Sequence, residues 1–109
     1  MRISGFHIHI DNSHSERYRT IVANRANAKK MYYSLPRKLL NNPELAKTLI
    51  LKNVYTYECL DWRLQHNREI VKLAAAIGGV AMLKIFPAHL ASDRSIVKLA
   101  IHSTTNLYL

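Results

Sequence analysis

The 109-residue chain contains one cysteine, three glycines, three prolines and only seven acidic residues. The single thiol, Cys59, excludes an intramolecular disulfide framework and fits a reducing compartment. As a small apolar side chain it is expected in the core. There is no glycine-rich phosphate loop, serine elbow, paired-cysteine zinc knuckle or dinucleotide fingerprint, so the common enzyme signatures are missing and no cofactor is expected. The longest uncharged apolar run, Leu73 to Leu83, has 11 residues, well short of the roughly 18–20 that a membrane helix needs. Arg2, His7, His9 and Asp11 interrupt the N-terminal segment, which therefore does not read as a secretory leader. The chain is read as one soluble domain, residues 1–109, without an internal repeat.

Cations are abundant by contrast. Sixteen Lys and Arg against the seven acids give a net charge of +9, which favours a polyanionic partner. No acid falls between Arg17 and Pro43, whereas Arg17, Arg19, Arg25, Lys29, Lys30, Arg37 and Lys38 all do. A solubility face normally mixes both signs, while phosphate neutralisation accounts directly for a stretch of one sign.

Periodicity suggests alternating elements. "ISGFHIHID", residues 3 to 11, alternates as a strand. Asn12, Ser13 and Ser15 are N-cap candidates for a helix with Glu16 in its first turn and Tyr18, Ile21, Val22 and Ala26 on its inner face. "YYSLPRKLLNNPE", 32 to 44, reads as an extended connection. The β-branched and aromatic run from 48 to 62 reads as strand, with a helix beginning at Pro43 as the competing reading. Asn67 caps a predicted helix that ends at Gly78, "VAMLKIFP" at 80 to 87 reads as strand, and Ser92 or Asp93 caps a last helix. The final "TTNLYL" reads as an edge strand. The pattern predicts a two-layer α/β sandwich of ferredoxin-like βαββαβ type, with helices on one face of the sheet and an extended basic connection.

In "FHIHID" a strand would put His7 and His9 on one face. A metal there would need a third ligand from His66, His89, His102, Asp11 or Asp93, and no spacing nominates one. The expectation is a solvated or RNA-facing edge without metal. The alternative is a small metal-dependent enzyme or a nuclease: the segment resembles the His-hydrophobe-His strand of tyrosine-using nucleases and relaxases, with Tyr32 or Tyr33 as nucleophile, and also the first strand of small catechol-opening dioxygenases. Phe6 and Trp62 are expected in the core, and Tyr32 and Tyr33, beside Pro36, Arg37 and Lys38, are divided between packing and an exposed contact.

Four landmarks in order, the basic segment Arg2 to Lys30, "SLPRK" at 34 to 38, "YT" with "RLQHNRE" within 55 to 69, and "KIFPAHLASDRSIVKLA", are similar to the tenth family of small-subunit ribosomal proteins. That resemblance implies a ferredoxin-like fold and a structural role in a ribosomal small subunit, in a mitochondrial ribosome more readily than a cytoplasmic one. It implies contacts with ribosomal RNA and neighbouring small-subunit proteins, and neither a membrane nor a small-molecule substrate. Together with the charge pattern it nominates Arg2, His7, His9, Arg17, Arg19, Arg25, Lys29, Lys30, Tyr32, Tyr33, Arg37, Lys38, Arg63, His66 and Arg68 as RNA-binding residues, with none catalytic.

Overall fold

The structure, a computed structural model, describes residues 14–107, with side chains through residue 105. No strand occurs among these residues. Eight α-helices follow one another: α1 Ser15–Ala23, α2 Arg25–Tyr32, α3 Arg37–Leu40, α4 Pro43–Lys52, α5 Trp62–Gln65, α6 Arg68–Gly78, α7 Ala88–Ala91 and α8 Arg94–Leu107. Two 3-10 helices, Val54–Cys59 and Gly79–Lys84, follow α4 and α6. The expected α/β sandwich is therefore overturned. The strand expected at 3 to 11 falls outside the described residues, but those expected at 48 to 62 and 80 to 87 fall on helix and 3-10 helix, and α8 occupies much of the final segment read as edge strand.

The reasons are local caps that β-propensity does not register. Asn42 accepts hydrogen bonds from Glu44 N (2.9 Å) and Leu45 N (3.3 Å), starting α4 with Pro43 in its first turn, where a missing N–H costs nothing. Asn53 accepts from Tyr55 N (3.0 Å), and the Thr56 hydroxyl donates to Asn53 O (2.8 Å), which winds the β-rich sequence Val54–Cys59 into a 3-10 turn. Asn24, extended at φ −127°, splits the first predicted helix in two and caps α2 by accepting from Asn27 N (3.2 Å).

These caps belong to a recurring unit, so the expectation of no internal repeat is corrected as well. The long helices begin at 43, 68 and 94, intervals of 25 and then 26 residues. Each is preceded by a one-turn helix, α3, α5 or α7, and by a cap that accepts from two backbone amides: Asn42, Asn67 and Asp93. The same register buries Leu35, Leu60 and Phe86, then Leu39, Leu64 and Leu90, then Leu45, Ile70 and Ile96. Tyr57 and Met82, both fully buried, occupy equivalent places in the 3-10 helices. Recurrence of one helix-turn-helix unit at such a period is the mark of a helical repeat protein, in which a single unit is too small to bury its own apolar side.

The chain groups into two compact units that divide between Asp61 and Trp62. In the first, α1 packs on α2 and α4, and the 3-10 helix packs on α2 and α4, around Ile21, Tyr32, Leu45, Leu49, Ile50 and Tyr57. In the second, α6, α8 and the second 3-10 helix enclose Ile70, Val71, Ala74, Ala75, Met82, Ile96 and Ala100. Each fully buried Ile, Leu or Met contributes roughly 1.5–3 kcal/mol of transfer free energy. The alanines let α6 and α8 approach closely. No helix among the described residues is long and apolar enough to cross a membrane.

Candidate nucleic-acid interface

Of the residues nominated from sequence, Arg2, His7 and His9 lie outside the described residues. Tyr32 is 1% exposed, which removes it from any surface. Its hydroxyl donates to Leu40 O and accepts from Asp61 N (3.4 Å), joining α2 to the ends of α3 and the 3-10 helix. Burial pushes its phenol well above the ordinary tyrosine range, so it remains a hydrogen-bond donor.

Several cations are engaged with the protein itself. Arg19 pairs with Glu16 (2.7 Å). One Arg25 nitrogen donates to both carboxylate oxygens of Glu58 (3.0 and 2.9 Å), and its guanidinium carbon sits 4.8 Å from the Tyr55 ring centroid, a cation–π contact between α2 and the 3-10 helix. Arg17 donates to Ser34 O (3.3 Å), and Arg68 pairs with Asp93. These acids lie as far away as 33 residues in sequence, which is why an acid-free stretch does not mean a stretch of unpaired cations.

In the first unit Lys29, Lys30, Arg37 and Lys38 remain. All four are exposed, and none enters an ion pair among the described residues. The lysines occupy the last turn of α2, where the helix dipole favours positive charge, and Arg37 and Lys38 open α3. Between the pairs in sequence stands Tyr33, 44% exposed, its ring edge-on to Tyr32 at 5.1 Å. Four exposed cations flanking an accessible ring in sequence supply the two elements used to bind single-stranded nucleic acid, phosphate neutralisation and base stacking.

The second unit carries an aromatic cluster that sequence reasoning places partly in the core. Trp62 is 66% exposed, not buried. It begins α5, in the repeat position of Arg37 and Ala88, which point outward in their own units, so the helix register and not its hydrophobicity sets its place. His66 lies edge-on to it at 5.8 Å and stacks on His89 at 5.6 Å with the rings 25° apart. His66 Nδ1 contacts Trp62 O at 2.8 Å, holding the imidazole beside the indole. Exposed Arg63 is next to Trp62 on the same short helix. Trp62 and His89 are not among the residues nominated from sequence; the repeat, with "REIVKLA" and "RSIVKLA" identical at six of seven positions, is the signal that sets their register.

Among the described residues no three His, Cys, Asp or Glu side chains are grouped so as to hold a metal ion. Cys59 is buried, donates to Thr56 O (3.0 Å), and burial pushes its thiol up to about 11, a poor nucleophile. No family model matches the chain, no curated protein matches it and no solved structure matches it.

Proposed function

We propose that this chain is a helical-repeat protein that binds single-stranded RNA through its phosphates, with exposed rings as stacking platforms. The observation that carries the reading is the set Lys29, Lys30, Arg37 and Lys38, exposed, outside every ion pair of the described residues, and flanking the accessible Tyr33 in sequence. The net charge of +9 supports it. The Trp62, His66 and His89 cluster adds a second place for a base to stack. Membership of the tenth small-subunit ribosomal family loses the fold that the resemblance implied, so a ribosomal, mitochondrial setting is the narrower form of the proposal, tested by co-sedimentation with a small subunit.

The broader reading is tested by fluorescence anisotropy with a labelled oligouridine and a polyglutamate of equal charge. The oligouridine binds the intact chain more tightly, and Arg37→Ala with Lys38→Ala weakens it for several RNA sequences alike, because phosphate contacts do not read bases. Equal binding of both polymers, or tighter binding of polyglutamate, would replace RNA by an acidic protein as the partner.

A further inference from the structure

The repeat register identifies a second kind of surface. Ile50, Ala75 and Ile101 occupy the same place, the eighth residue of α4, α6 and α8. Ile50 and Ala75 are 0% exposed, whereas Ile101 is 51% exposed. In the last unit, therefore, an apolar side chain stands where the other two units have a covered one. Ile101 and Leu99 are the apolar residues that line an open groove along α8; two positions apart, they lie at its opposite edges, with Lys98 and His102 between them and Lys72 of α6 also in the lining. Lys72 and Lys98 are themselves equivalent residues of two successive units, and among the described residues no acid lines the groove.

We propose that this groove binds an amphipathic helix of a partner protein, whose apolar stripe meets Ile101 and whose carboxylates beside that stripe meet Lys98 and Lys72. Helix-in-groove binding of this sort is anchored by side chains of the bound helix three and four residues apart, and Lys98, Ile101, His102 and Thr105, at that spacing on α8, share one face for such a helix to meet. Charge complementarity decides the occupant. A second copy of this chain carries +9 and would bring lysines against lysines. RNA is disfavoured because no Phe, Tyr or Trp among the described residues lines the groove for stacking, and the apolar side chains they place there are aliphatic.

The test uses the full chain and two synthetic helical peptides with the same leucine stripe, flanked by glutamates in one and lysines in the other, followed by fluorescence anisotropy. The glutamate peptide binds and the lysine peptide does not. Ile101→Asn and Lys98→Gln each weaken the glutamate peptide about ten-fold, an anchor-sized loss, while helicity by circular dichroism is unchanged. Oligouridine binding is unchanged in Ile101→Asn, so this surface and the RNA surface fail separately. Absence of binding by the glutamate peptide, equal binding of both peptides, or indifference to Ile101→Asn would overturn the proposal. So would self-association abolished by Ile101→Asn, or displacement of the peptide by oligouridine.

Discussion

Arg68 and Asp93, 25 residues apart, close on each other through two hydrogen bonds: Nη1 donates to Oδ2, and Nη2 to Oδ1 at 3.2 Å. Arg68 begins α6, and Asp93 caps α8 by accepting from Ser95 N (2.9 Å) and Ile96 N (3.4 Å), so one carboxylate joins the starts of two helices. The Arg68 hydrogen bond, ahead of the two backbone amides, holds the Asp93 carboxyl below the usual carboxylate range. A carboxyl so depressed contributes its full stability above the ordinary aspartate value of about 4 and loses it as pH falls through the lower folded value. Asp93→Asn keeps a capping oxygen but removes the charge. Urea midpoints of the variant should therefore fall less steeply on acidification below about pH 4 than those of the parent; parallel curves would show that the pair adds nothing.

Tyr32→Phe removes a buried hydroxyl from between Leu40 O and Asp61 N and leaves both without that partner. The expected loss is about 1–2 kcal/mol, read as a lower urea midpoint. A midpoint equal to the parent's would show that neither backbone group depends on the phenol.

Gly79 has φ +74° and ψ −159°, a region closed to side-chain-bearing residues. A Cβ there would also collide with Thr104 Oγ1, which accepts from Val80 N at 2.9 Å. Gly79→Ala should cost at least about 1–3 kcal/mol. Thr104→Ser does not relieve the collision, because it keeps the oxygen, whereas Thr104→Ala relieves the contact but not the backbone strain. Thermal melts of the three single variants and the Gly79→Ala, Thr104→Ala pair separate the two effects.

The helix from Asn67 to Gly78 and the Asp93 cap were legible because a capping side chain, a first-turn acid or hydroxyl and an apolar stripe coincide there. The strands were not. Val54 to Tyr57 and Val80 to Phe86 carry β-branched and large apolar residues, but buried Tyr57 and Met82 fix them as 3-10 turns against long helices, and packing overrides a β-propensity worth about 1 kcal/mol at most. Cations were easy to count, but the engagement of Arg25 by Glu58 and of Arg68 by Asp93 depends on contacts 33 and 25 residues apart. Trp62 was misplaced for a related reason: hydrophobicity suggests burial, while its position at the start of a one-turn helix leaves most of the ring outside.

Trp62 is the only tryptophan, so its fluorescence reports on this surface alone. Oligouridine should quench it, and Trp62→Ala should weaken binding by about 1–3 kcal/mol if a base stacks on the indole, with little change in stability because the ring is 66% exposed. Unchanged fluorescence at saturating RNA would remove this ring from the interface.

Neutralisation of RNA phosphates by Lys29, Lys30, Arg37 and Lys38 is the core of the proposed function. Its decisive measurement is the slope of log affinity against log salt for oligouridine, compared between the parent and a variant with all four changed to alanine. Removing one phosphate interaction should flatten the slope by about 0.7. A slope shallower by about 2–3 is therefore expected in a variant that remains folded, since exposed unpaired cations add little stability. A folded variant with the parent's slope and affinity would contradict phosphate binding by these four side chains.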